Sequence, residues 1–131
     1  MPTTEANDDC CPTLILAHRD PRYAAAAIDA LRPRWDVRLA HSSAEVRCLA
    51  RELGAAVVVL GAGALDETGG LTCAKLSREL PGLRIILVAA APTPELRRFA
   101  AFAGAARVVN EGDGPRALLH AVEGKALTAA G

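Results

Sequence analysis

Five short apolar runs alternate along the chain with five stretches whose apolar residues recur at helical spacing. "TLILAH" (13–18) predicts a buried strand. Asp20 then stands as an N-cap, with Pro21 in the first turn of the helix "PRYAAAAIDALRP". "WDVRLA" (35–40) alternates apolar and polar positions, as a strand near a sheet edge does. Ser42, with Glu45 three residues on, forms a capping box for a helix that stops at Gly54. "AAVVVL" (55–60) is an uninterrupted apolar run, the pattern of a central parallel strand covered on both faces. "LTCAKLSREL" is helical and is stopped by Pro81 and Gly82. "LRIILVAA" (83–90) predicts a fourth strand. Thr93 and Pro94 open the helix "PELRRFAAFAG", closed by Gly104. "ARVVN" (106–110) predicts the last strand and "GPRALLHAVEG" the last helix.

Strands alternating with helices call for right-handed βαβ units and a parallel sheet. The expected fold is therefore α/β: a flavodoxin-like, doubly wound, five-stranded parallel sheet of order 2-1-3-4-5 with helices on both faces. Residues 13–124 form the domain. Residues 1–12 are expected to be a disordered N-terminal segment and 125–131 a flexible tail. Any site is expected at the carboxyl ends of the strands.

Composition narrows the function. At 131 residues, 51% hydrophobic but only 3% aromatic, the chain builds its core from Ala, Val and Leu. A formal net charge of zero removes the electrostatic case for direct nucleic-acid binding or for an anionic membrane surface. No apolar run reaches the roughly 20 residues of a membrane span, and the polar, acidic start lacks the layout of a signal peptide. A cytoplasmic location is expected. Cys10, Cys11, Cys48 and Cys73 have neither metal-site nor disulfide spacing and read as free thiols, with Cys48 and Cys73 on helices. Metal and cofactor are expected to be absent.

The stretch "VVVLGAGALDETGGL" (57–71) brings a strand into a small-residue loop. It has Asp66 where a third glycine would complete a dinucleotide fingerprint, and it lacks the Gly-Lys-Ser/Thr of a phosphate loop. Asp66 and Glu67 are expected to face solvent at the acidic start of the next helix. The first strand ends in His18, Arg19 and Asp20, with no nucleophile at any strand end to work with them. His41 and His120 fall on different elements and read as surface or boundary residues. The chain is not expected to be an enzyme.

Over residues 13–124 the segments "LILAHRDPRYAAAAIDAL", "ELGAAVVVLGAGALDETGGLTCAKLSRELPGLRIILVAAA" and "GAARVVNEGDGPRALLHAVEG" resemble a response-regulator receiver domain of the kind attached to LuxR/NarL-type outputs. The resemblance implies two acidic residues for Mg²⁺ after strand 1, a phosphate-accepting Asp after strand 3, a hydroxyl after strand 4 and a Lys after strand 5. Here those positions hold His18 and Arg19, Ala62 or Gly61, Ala89, and Glu111; Val108 stands at the aromatic switch position. The resemblance thus implies a degenerate pocket, in which Ala or Gly offers no oxygen to a phosphoryl group and Arg19 stands where the cation would. Asp20 alone cannot rebuild the cage. With their signs reversed, Arg19 and Glu111 are expected to approach each other across that pocket, with His18 nearby.

Two functions follow as expectations. The first is an atypical, phosphorylation-independent receiver-like interaction module in signalling or transcriptional regulation. It would engage a protein partner or form a homodimer through the helix 4/strand 5/helix 5 face, with Arg97, Arg98, Phe99, Phe102, Arg107, Val108 and Arg116. The second is a small-molecule sensor with its ligand in the vacated pocket.

Overall fold

The computed structural model describes residues 11–63 and 66–124. The expectations for 1–10, which include Cys10, and for 125–131 lie outside the described residues. The strands are β1 (Thr13–Ala17), β2 (Asp36–Leu39), β3 (Val57–Gly61), β4 (Arg84–Ala89) and β5 (Arg107–Asn110). Between and after them run α1 (Pro21–Leu31), α2 (Ser43–Leu53), α3 (Gly69–Glu79), α4 (Pro94–Ala103) and α5 (Pro115–Glu123), with a 3₁₀ turn at Glu111–Asp113. All four strand pairings are parallel and the order is β2-β1-β3-β4-β5, as the alternation of patterns predicts.

Strand periodicity divides the core in two. Leu14 and Leu16 of β1, with Val57, Val59, Ile86 and Val88, face α1 and α5. Ile15 and Ala17, with Val58, Leu60, Ile85 and Leu87, face α2, α3 and α4. Each fully buried Leu, Ile or Val contributes about 1.5–3 kcal/mol relative to exposure. The continuous apolar run of β3 is buried along its whole length, because it lies at the centre with a helical layer on each side. Among the described residues no helix is long and apolar enough to cross a membrane.

The helix ends follow the local chemistry. Asp20 accepts from the Arg22 N–H, Ser42 from Glu45 and Thr93 from Leu96. Gly54 and Gly104 close α2 and α4 at φ of 62° and 103°, where a side chain would be strained. Strand ends shift from the sequence reading by one or two residues, and the shift that bears on the site is that α3 begins at Gly69 rather than Leu71 while β3 runs to Gly61. Thr68 supplies the cap, accepting from the Leu71 N–H at 3.3 Å. Gly69 is required there by contact, since a Cβ on it would lie 2.2 Å from the Gly61 carbonyl oxygen. The helix starts that close to the strand it follows.

Candidate functional site

The carboxyl edge of the sheet brings together His18, Gly61, Ala62, Ala89 and Glu111. Ala17 pairs with Leu60, so His18 stands level with Gly61 at the next step, and Ala89 pairs with Asn110. By strand alternation His18 shares the α1/α5 face with Leu14 and Leu16, and its side chain is only 4% exposed. Its Nε2 lies 2.7 Å from Glu111 Oε2, at the start of the 3₁₀ turn after β5. The Asp20 N–H donates to His18 Nδ1 at 3.0 Å. A ring nitrogen that accepts carries no proton, so the neutral imidazole is the Nε2–H tautomer and donates to the Glu111 carboxylate. The third support is Tyr23 on α1, whose ring centroid lies 4.8 Å from that of His18 at 33°.

The ring takes the room a side chain at position 61 would need. A Cβ built on Gly61 would lie 3.0 Å from His18 Cδ2. The Tyr23 hydroxyl is buried beside this pair with no hydrogen-bond partner among the described residues. Its pKa is pushed up to about 12, first by burial and then by the Glu111 charge, so it stays a neutral phenol.

Glu111 therefore meets His18 and not Arg19, correcting the expected pairing. Charge alone favoured Arg19, but the period of two aims consecutive residues to opposite sides. The Arg19 stem passes over the β3–α3 loop instead, its Cδ 3.4 Å from where a Cβ on Gly63 would be. No ion pair within 4.0 Å joins Arg19 to an acid among the described residues. Asp20 is the N-cap of α1, as expected. Ala89, buried, ends β4 with a methyl group. Among the described residues no three His, Cys, Asp or Glu side chains gather as a metal ligand set.

No protein-family model matches the sequence, and no curated protein matches it. Solved structures do. The BeF3-activated DrrB receiver domain superposes at a TM-score of 0.77 and 21% identity, over 86% of this chain and 95% of that one. A CheY-like response regulator receiver domain from Methanospirillum hungatei JF-1 gives 0.78 at 18%, over 86% and 91%. The signal receiver domain of the response regulator NarL from Mycobacterium tuberculosis gives 0.77 at 18%, over 88% and 98%. The chain has the receiver fold.

Within that fold, the β3–α3 loop is tied down by residues expected to face solvent. Asp66 accepts from the Ser43 N–H at 2.7 Å. Glu67 Oε2 lies 2.5 Å from Ser43 Oγ and 2.7 Å from Thr72 Oγ1, and Lys75 donates to its other oxygen at 2.9 Å. Ser43 and Thr72 are buried. The Ser43 hydrogen bond, then that of Lys75, hold the Glu67 carboxyl at a pKa of about 2 against the opposing effect of burial, with Thr72 adding a lesser share. The two acids thus bolt the loop to the first turn of α2. Asn110 joins the other two loops: its Oδ1 accepts from the Gly112 N–H at 2.9 Å and the Ala91 N–H at 3.4 Å. Ala91 sits at φ 51°, a conformation that alanine seldom adopts.

The expected interaction face divides. On α4, Phe99 turns toward α3, where its ring edge covers Gly70; a Cβ there would lie 2.3 Å from Phe99 Cε2. Phe102 is 90% exposed, and Arg97 and Arg98 are exposed beside it. Toward β5, Arg97 and Ala101 line a shallow groove with Arg107 and Val108. Arg116 is exposed on α5. The two phenylalanines therefore do not share the β5-facing side.

Proposed function

We propose that the chain is a phosphorylation-independent, receiver-like interaction module in signalling or transcriptional control, without catalytic activity of its own. One observation carries this reading: the imidazole of His18 fills the space over Gly61 and hydrogen-bonds Glu111. A phosphoryl acceptor needs an oxygen at that place, and Gly61 and Ala62 offer none. The same ring leaves no space there for a small molecule, so the ligand-sensor alternative finds no support over Gly61. A clasp of His18 and Glu111 holds one conformation of the edge without phosphate.

Output then falls to a surface. Phe102, 90% exposed in a chain with only 3% aromatic residues, is the strongest anchor for a protein partner or a second copy. Arg98, exposed one turn earlier on the same helix, would provide a polar rim beside it. The absence of excess positive charge favours a protein over DNA as the partner.

The test is a titration of the ¹⁵N-labelled chain with Mg²⁺ and beryllofluoride, followed by intact mass after acetyl phosphate. Unchanged amide spectra and an unchanged mass are expected. Saturable shifts of Gly61, Ala62 and Glu111, or a phosphoryl adduct, overturn the reading.

A further inference from the structure

Of the exposed large apolar side chains among the described residues, Leu71, Phe99 and Phe102 stand on two neighbouring helices, α3 and α4. Phe99 covers Gly70 and Ser77 abuts Gly104, so the two helices run side by side in the same direction. Leu71 is the residue after Gly70. On α4, steps of three and four positions put Glu95, Arg98, Phe99 and Phe102 on one outward stripe, and all four are exposed. Neither Glu95 nor Arg98 has an ion pair or a side-chain hydrogen bond among the described residues. The stripe thus sets one free acid and one free base beside an apolar centre. A wholly acidic or wholly basic partner would leave one of the two charges unmet. A surface that carries both signs one turn apart complements itself.

We infer that a second copy of this chain docks on this stripe, with the two α4 helices antiparallel about a twofold axis. The inference rests on the module reading, whose partner it names. In this pairing Glu95 of each copy faces Arg98 of the other, so a single kind of contact is made twice. Phe99 and Phe102 lie farther along, over Pro94 of the other copy and its β4–α4 loop. Asn110 ties that loop to the 3₁₀ turn of Glu111 by accepting from the Ala91 and Gly112 N–H groups. Dimer face and clasp are therefore one loop apart. Two phenylalanines and a leucine make a small core against the roughly 800 Å² per partner of a standard stable interface. The association is expected to be concentration-dependent.

Sedimentation equilibrium of the full chain at a series of concentrations tests the pairing, with circular dichroism to confirm that each variant is folded. The wild type is expected to dimerise reversibly. Phe102→Ala is expected to weaken the dimer about tenfold or more, because the loss is felt in both copies. Glu95→Arg and Arg98→Glu each set like charges face to face twice, and each alone is expected to weaken it at least about tenfold. Mixed in equal amounts, the two variants restore both opposite pairs, and a heterodimer of near wild-type affinity is expected. A mixture no tighter than its components, or an unaffected Phe102→Ala, overturns the pairing. So does dissociation by Arg97→Glu, on the β5-facing side of α4. A wild type that stays monomeric also overturns it but leaves the module reading intact, since the beryllofluoride titration decides that reading separately.

Discussion

Glu111→Ala removes the acceptor of the His18 ring and isolates the energy of the clasp. The histidine side chain is 4% exposed and the glutamate 25%, so the bond is shielded on one side and wet on the other. A hydrogen bond to a charged group is worth about 1.5–3 kcal/mol, and a buried donor left alone adds a desolvation cost. Water entering where Glu111 stood recovers part of that. The expected loss is about 1.5–2 kcal/mol, or roughly 5–8 °C in Tm for a domain of this size. Glu111→Gln keeps an acceptor oxygen and should lose about half as much. Urea unfolding followed by circular dichroism and by the fluorescence of Trp35, the single tryptophan, measures both. Exposed Asp29→Asn is the control and should stay within about 0.5 kcal/mol of wild type. A double-mutant cycle with His18→Ala should return a coupling of at least about 1 kcal/mol. If Glu111→Ala matches the control, or the cycle closes with no coupling, the clasp holds nothing and the reasoning fails.

Two further outcomes follow from other parts of the edge. Glu67 is ionised more readily folded than unfolded, so its contribution is whole above about pH 4.5 and is lost as pH falls through about 2. The stability difference between wild type and Glu67→Gln, about 1–2 kcal/mol at pH 7 after allowing for solvent screening, should shrink by pH 3 in urea melts and nearly vanish by pH 2; a constant difference would contradict the assignment. Gly69→Ala drives a Cβ to 2.2 Å from a backbone oxygen that cannot swing aside, and should cost at least about 2 kcal/mol in the same assay; a neutral result would show that α3 starts elsewhere.

Much of the architecture is legible in local chemistry. Asp20, Ser42 and Thr93 cap the helices their side chains predict, and the unbroken valines of β3 mark the centre of the sheet. The start of α3 is obscured because Gly69 and Gly70 carry a loop signal, while their need is close packing against β3 and under Phe99. At the site, residue type pointed to Arg19 and periodicity to His18, and periodicity prevails because it fixes where a side chain can go. The signal was present: position 18 keeps the phase of Leu14 and Leu16. Asp66 and Glu67 are acidic in a helix-start pattern, which masks their bonds to a helix more than twenty residues earlier. Tyr23 gave no sign of its place against His18, which depends on how α1 crosses the sheet.

The contact between Gly61 and His18 also bears on how the sequence can change. A carboxylate introduced at position 61 meets the imidazole before it meets any phosphate donor, so Gly61→Asp alone should be penalised. A smaller residue at position 18 removes that penalty but strands Glu111. Placing a carboxylate at position 61 therefore requires an order of steps, each depressed until the next is made, and substitutions at 18, 61 and 111 should be strongly epistatic in a combinatorial library selected for folding. With a histidine in that space, small residues at position 61 become obligatory, and no single substitution there admits a larger side chain without displacing the ring.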